Sequence, residues 1–399
     1  MEATRTDTKK NEMKYEKSEL ELMTTYQLRE ICRREKIMNG VIHPLDKEEL
    51  IQTIMRYMGK RQDFLICDRK KGGEERVEEF LKNTRIVIKP SEELYCQSQI
   101  LAYEGLSIEY YDDYTIPYKK ELAGTNAFLI GSDMTLCAIL NLKEHGGKQE
   151  KLYLTKAAEL ETRETQRKDY RIFCMGRQTS ESLYHLYYGE HTILPEHIEV
   201  YSIPLIDFVV RKPVTLMLPM AIDFGSVNTT AGVYLDSAYF ENVGEQAAVK
   251  NCRENEINYT AFEDGNGESM LLPSVIGVLA VEEEDYKLLF GYDAIRLANA
   301  SYVDEGFCVF YDVKRWIGEY EKEEEIVDRQ GRRRLVKRAE ILRRFFLYII
   351  RKTENRFKCR ISQVHISSPV KQKHYFRRMF REILPEYMIN QEIMLDEGM

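Results

Sequence analysis

The chain has 399 residues, 43% of them hydrophobic and 31% charged, with a net charge of −8. That length holds two or three domains with a sizeable core, and a charge that is spread rather than blocked names neither a nucleic acid nor a membrane surface as partner. No apolar run approaches the roughly 20 residues of a membrane span, and the opening MEATRTDTKKNEMKYEKSE is too polar for a signal peptide, so the sequence predicts a cytoplasmic protein without a membrane partner. The eight cysteines lie far apart, with no Cys-x-x-Cys and no paired-histidine spacing, and read as reduced thiols. His191 and His197 flank a proline-containing turn and read as surface histidines rather than metal ligands.

Residues 1–22 are polar and aperiodic, which predicts a disordered tail. In residues 23–60, Thr24 or Thr25 caps a helix whose Leu28, Ile31 and Cys32 share a face. Asp46 opens a second helix, Glu49 completes its capping box, and Leu50, Ile51, Ile54 and Met58 form its apolar stripe. Two helices joined by MNGVIHP, with Arg29, Arg33, Arg34, Lys36 and Lys47 nearby, resemble the SAP module, a helix–extended-loop–helix unit known for DNA and RNA binding. The loop is longer than that family's, Pro44-Leu45-Asp46 replaces its glycine, and the local acids nearly cancel the bases. The resemblance implies nucleic-acid binding through residues 23–60; the same residues also fit a protein-docking or capping helical pair.

Residues 61–83 read as a linker and a short charged helix after Gly72-Gly73. From 84 to 215, TRIVIKP, SQILAYEG, LSIEYY, AFLIGSD, LCAILNL, KLYLT, YRIFCM and IEVYSIP are short β-type runs, which predicts a β-rich domain with helical interruptions near 157–166 and 180–188. Its tyrosines, among them Tyr110, Tyr111, Tyr114 and Tyr118, read as sheet packing.

The segment AIDFGSVNTTAGVYLD, residues 221–236, is a strand reaching a lone carboxylate, a small-residue turn and a second strand. Asp223 falls at the strand's end, and Gly225, Ser226, Val227 and Asn228 can wrap backbone N–H groups around an anion while Asp223 holds a magnesium ion through its waters. Taken locally, the pattern also fits an ordinary β-turn.

Four further segments follow, and with the hairpin they resemble the DnaK-type 70-kDa heat-shock chaperone family. LLPSVIGVL (271–279) is similar to its Pro-Ser-Val strand, LLFGYDAIRLA (288–298) to its Val-Gly-x-x-Ala segment, and FCVFYDVKRWIG (307–318) to its Phe-Asp-x-Lys-Arg-x-Ile-Gly. A helix over RAEILRRFFLYIIRKTENRF, with Ile341, Phe345, Tyr348 and Ile349 at helical spacing, precedes VHISSPVKQKHYFRRMFREI (364–383), which resembles the family's strand ending in Val-Pro.

The resemblance, over residues 219–399, implies the first lobe of an actin-like (ribonuclease H-like) ATPase domain, so the whole chain is expected to be an α/β and α+β multi-domain protein. It implies ATP or ADP with magnesium as cofactors and a protein client or co-chaperone as partner. Asp223, Lys314 and Glu397 carry the implied catalytic roles, with Lys314 near the γ-phosphate and Asp223 and Glu397 near magnesium through water. Gly225, Ser226, Val227 and Asn228 carry phosphate binding, and Pro369 and Arg377 the relay of nucleotide state. Val227, Ser367-Ser368 and Gly398 depart from the family pattern. The family's second phosphate hairpin and adenosine loop do not occur in these residues, so the chain by itself is expected to lack useful ATP affinity and ATPase turnover. The competing reading is a non-enzymatic nucleic-acid- or protein-binding adaptor with a degenerate ATPase lobe.

Overall fold

The computed structural model describes residues 15, 17–34, 46–58, 65–66, 69–96, 99–108, 114–145, 148–157, 160, 162–163, 165, 169–205, 207–243, 251–263, 268–299, 308–368 and 373–389. Helices α1 (Lys17–Glu21), α2 (Thr25–Arg34) and α3 (Lys47–Met58) begin it. Thr24 caps α2 reciprocally: the Gln27 N–H donates to Thr24 Oγ1 at 3.3 Å and the Thr24 N–H to Gln27 Oε1 at 2.8 Å. Asp46 and Glu49 make the same box on α3, at 2.9 and 3.0 Å. Leu28, Ile31 and Cys32 meet Leu50, Ile51 and Ile54 in a small core of their own. The loop that would distinguish a SAP module from other helical pairs lies outside the described residues.

Helix α4 (Gly73–Asn83), strands β1 (Arg85–Lys89), β2 (Ile100–Tyr103), β3 (Thr115–Pro117), β4 (Asn126–Gly131), β5 (Leu136–His145), β6 (Lys148–Thr155) and β7 (Tyr170–Met175), helix α5 (Arg177–Tyr188), and strands β8 (His197–Leu205) and β9 (Phe208–Arg211) follow. Seven of these strands form one sheet, in the order β1-β8-β7-β4-β5-β6-β3, antiparallel except for the β1–β8 pair at one edge. β2 and β9 pair in parallel with each other. Alternation along the strands sends Ala127 and Leu129 into one core and Phe128 and Ile130 into another, which α4 and α5 close with Val77, Leu81, Leu183 and Tyr187. Helix α4, foreseen beside a linker, is thus part of this core. The run LSIEYY contributes an isolated bridge, Ile108 to Lys156, among its described residues. None of the described residues between 157 and 166 is helical, unlike the expectation for that segment.

After β10 (Val214–Thr215) come β11 (Met220–Phe224), β12 (Asn228–Leu235), α6 (Ser237–Val243), β13 (Glu256–Tyr259), the small pair β14 (Phe262–Glu263) and β15 (Glu268–Ser269), and β16 (Leu272–Pro273). Next are β17 (Ile276–Val281), β18 (Tyr286–Phe290), α7 (Tyr292–Asn299), β19 (Val309–Phe310), a 3-10 helix (Val313–Glu319) and the hairpin β20 (Glu323–Val327) and β21 (Arg333–Lys337). Helix α8 (Arg338–Phe357), β22 (Cys359–Arg360), β23 (Gln363–Ile366), α9 (Lys373–Ile383) and β24 (Met388–Ile389) complete the described chain.

The main sheet here runs β13-β12-β11-β23-β24, with β16 also on β12. β12 is antiparallel to both β11 and β13, whereas β11, β23 and β24 are parallel neighbours. β11 buries Met220, Ile222 and Phe224 and exposes Ala221 and Asp223 between them. Phe224 packs on Phe345 and Phe346 of α8, at ring-centroid distances of 6.0 and 5.0 Å. Phe376 and Phe380 of α9 join the same core.

The C-terminal end of α8 meets the β-rich region. The Ser107 N–H donates to Asn355 Oδ1 at 2.9 Å, Lys358 Nζ donates to the Ser107 carbonyl at 3.1 Å, and Arg360 Nη2 to the Glu104 carbonyl at 2.8 Å. Among the described residues no helix is long and apolar enough to cross a membrane.

Candidate functional site

Asp223 stands where β11 ends, on the sheet face opposite α8, because Phe224 beside it is drawn into the core. Its carboxylate accepts a hydrogen bond from Ser367 Oγ, just past the end of the parallel neighbour β23, at 2.5 Å. The ladder is continuous there, since the Ser367 N–H donates to the Ile222 carbonyl at 2.9 Å. His365 lies two residues earlier on the same strand face, opposite Ala221. Burial pushes its imidazole below the usual histidine range.

The turn between β11 and β12 is narrow. The Gly225 N–H donates to the Asn228 carbonyl at 3.1 Å, and a Cβ at position 225 would stand 2.3 Å from that oxygen, so glycine is required by contact. Ser226, Val227 and Asn228 are exposed at the tip, Val227 to 74%. No turn or loop carbonyl among the described residues takes the N–H groups of Ser226 and Val227. Behind the tip sits Ser274, fully buried, on the Pro-Ser-Val segment. Its N–H donates to the Val227 carbonyl and its hydroxyl to the Gly225 carbonyl, both at 2.8 Å, and Thr229 Oγ1 lies 2.8 Å from the same hydroxyl.

Lys314 lies in the first turn of the 3-10 helix and is half-buried. Asp312 opens that helix in the left-handed region, at φ 53°, and is ion-paired to Arg315. Lys314 connects to the hairpin through the backbone: Ser274 leads into β17, whose Ile276 pairs with Phe310, and Phe310 leads to the helix. Trp316 anchors the helix against Phe310, with ring centroids 4.9 Å apart, and under the Arg338 guanidinium at 5.3 Å. Arg377 is half-buried on α9, next to the core residue Phe376. Pro369 and Glu397 lie outside the described residues.

The arrangement therefore brings Asp223 and the residues 225–228 together with two side chains that the sequence reading did not assign to the site, Ser367 and Ser274. Ser274 had a visible signal, the Pro-Ser-Val segment; Ser367 had only its place at a strand end. The donor set suits an anion at the tip, with exposed N–H groups beside a carboxylate, and Asp223 is open enough to hold the water shell of a divalent cation. Among the described residues no group of three or more His, Cys, Asp or Glu side chains is placed to hold a metal ion.

No family model and no curated protein matches the chain.

Proposed function

We propose that residues 219–399 are a nucleotide-holding lobe of the actin-like, heat-shock-chaperone type, which grips the phosphates of ATP or ADP at Gly225–Asn228 and a hydrated magnesium ion at Asp223. One observation carries this reading. Asp223 and Ser367 meet at the carboxyl ends of two parallel neighbours, β11 and β23, from which the chain departs in opposite directions, to β12 on one side and to α9 and β24 on the other. Such a switch point is where open α/β sheets bind ligands, because the diverging connections leave a crevice at the strand ends. Lys314 would serve as the cation for the terminal phosphate, with Arg377, and Pro369 and Glu397 beyond the described residues, in the roles that the resemblance implies. The parent activity would couple nucleotide state to a conformational change acting on a protein client, and a cytoplasmic location accords with the thiol cysteines.

The test is titration of the full chain with magnesium ADP, magnesium ATP and adenosine. Binding that requires both the phosphates and magnesium, and that Asp223→Asn weakens chiefly by removing the magnesium dependence, is the expected result. Adenosine binding as tightly as the nucleotides, or no binding by any of the three, overturns the reading.

For the helical pair α2–α3, we propose protein docking rather than nucleic-acid binding. Three of its bases are engaged by its own chain: Arg33 with Glu30 at 2.5 Å, Arg34 with the Tyr15 hydroxyl at 2.6 Å, and Lys47 with the Glu21 carbonyl at 2.7 Å. A salt-dependent electrophoretic shift with short duplexes would reverse this assignment.

A further inference from the structure

Ser274 makes two bonds whose joint effect reaches beyond bracing the hairpin. In a trans peptide unit the C=O and the following N–H point in opposite directions, because the unit is planar. There are no cis peptides among the described residues. The Ser274 hydroxyl holds the Gly225 carbonyl, which turns the Ser226 N–H away from Ser274; the Ser274 N–H holds the Val227 carbonyl, which turns the Asn228 N–H away likewise. The Ser226 N–H is taken by no turn or loop carbonyl among the described residues. The proton count is consistent: a serine hydroxyl has one proton, used on Gly225, so Thr229 Oγ1 is the donor in its contact with Ser274 Oγ.

We propose that Ser274 is the positioning residue of the phosphate site: by holding two alternate carbonyls of the loop inward it aims the Ser226 and Asn228 N–H groups at one bound phosphate group. This rests on the phosphate reading given above and adds to it a residue that touches no ligand. Ser274 is suited to the task because it is fully buried, so water does not compete for its bonds, and because it directly follows a different strand, β16, which pairs with β12 at Asn228 and Thr229. Thr229 differs from it in an informative way: its hydroxyl bonds Ser274 but holds no loop carbonyl.

The experiment compares the full-length wild type with Ser274→Ala and Thr229→Val, reading magnesium pyrophosphate affinity by calorimetry and deuterium uptake of the segment 223–230 without ligand. Ser274→Ala is expected to weaken pyrophosphate about tenfold and to speed uptake, since the Gly225 carbonyl loses the hydroxyl that holds it and the turn loosens, while Thr229→Val stays within about twofold of wild type. If Ser274→Ala does not fold, Ser274→Cys, of similar volume and poorer donor strength, takes its place with an intermediate loss expected. Wild-type affinity in the Ser274 variant overturns the proposal, and so does a Thr229→Val variant as weak as Ser274→Ala, which would point to packing of the network rather than to the held carbonyls. If the wild type binds no pyrophosphate, the phosphate reading falls by itself; uptake then decides the orientation, faster exchange in the Ser274 variant upholding it and unchanged exchange overturning it.

Discussion

β4 and β11 each sit at the middle of a sheet, yet their side chains meet different surroundings. All six residues of β4 are buried, with one core above and another below. β11 buries alternate residues and leaves Ala221 and Asp223 exposed. In the first sheet a polar group must be satisfied internally: the Asn126 side chain donates to Asn141 Oδ1 at 2.9 Å, and the Asn126 N–H to Ser180 Oγ at 3.0 Å, all buried. In the second, a carboxylate can keep solvent on one side. A strand covered on both faces holds a domain together, whereas a strand covered on one face can also carry chemistry.

Truncations on the two strands test that contrast most strongly. Phe128→Ala and Leu129→Ala project to opposite faces of β4, and both are expected to cost about 3–5 kcal/mol in urea denaturation. On β11, Ile222→Ala is expected in the range of about 2–5 kcal/mol, while Ala221→Ser stays within about 0.5 kcal/mol. A low cost for Leu129→Ala, or a high one for Ala221→Ser, would erase the distinction between the sheets.

Next in size is Gly225→Ala. The added methyl would stand 2.3 Å from the Asn228 carbonyl oxygen, so the loop must shift, at about 1–3 kcal/mol. The expected signature is a modest loss of stability with a complete loss of pyrophosphate binding. Retained binding would show that the tip tolerates a different shape and that the exposed face of β11 is not tuned to an anion.

The same contrast explains how far the sequence could be read. The alternation of β11, the small-residue turn and the long apolar spacing of α8 were legible because each is local: period, turn chemistry and length are written in neighbouring residues. Asp46 with Glu49 was legible for the same reason. The bond from Ser367 to Asp223 was not, because it joins residues 144 apart that become neighbours only when β23 pairs with β11. Nor was the second core beneath α4, since a charged helix after two glycines looks like a linker until Val77 and Leu81 are seen to face Leu183 and Tyr187. A helix near 157–166 was expected from local composition, yet Lys156, 2% exposed and bonded to Thr162, belongs to the sheet's end instead.

The two regions are joined at the end of α8, and that joint yields a smaller effect. Asn355→Ala leaves the Ser107 N–H without its 2.9 Å acceptor, and Lys358→Met removes the 3.1 Å bond to the Ser107 carbonyl. Each is expected to cost about 1–3 kcal/mol. If the joint couples the regions, calorimetry of the double variant should resolve two transitions where the wild type shows closer melting. An unchanged profile would mean that the sheets are independent bodies despite the contact.

The smallest effect belongs to Glu354, the residue just before Asn355 of that joint. It is nearly buried and accepts the Ile361 N–H at 3.0 Å, and burial raises its pKa above the ordinary 4.5 in spite of Arg360 nearby. The sign follows from proton binding: a carboxyl with a raised folded-state pKa binds its proton more tightly when folded, so its contribution is fully present below the unfolded value and is lost as pH rises through the folded one. Glu354→Gln keeps an acceptor for Ile361 and has no such slope. The difference in thermal stability between wild type and variant should therefore move in the variant's favour from about pH 4.5 upward and then level off. A wild type that gains on the variant over that interval would show that Arg360 outweighs burial, and that this end of α8 behaves like the open face of β11 rather than like the closed faces of β4.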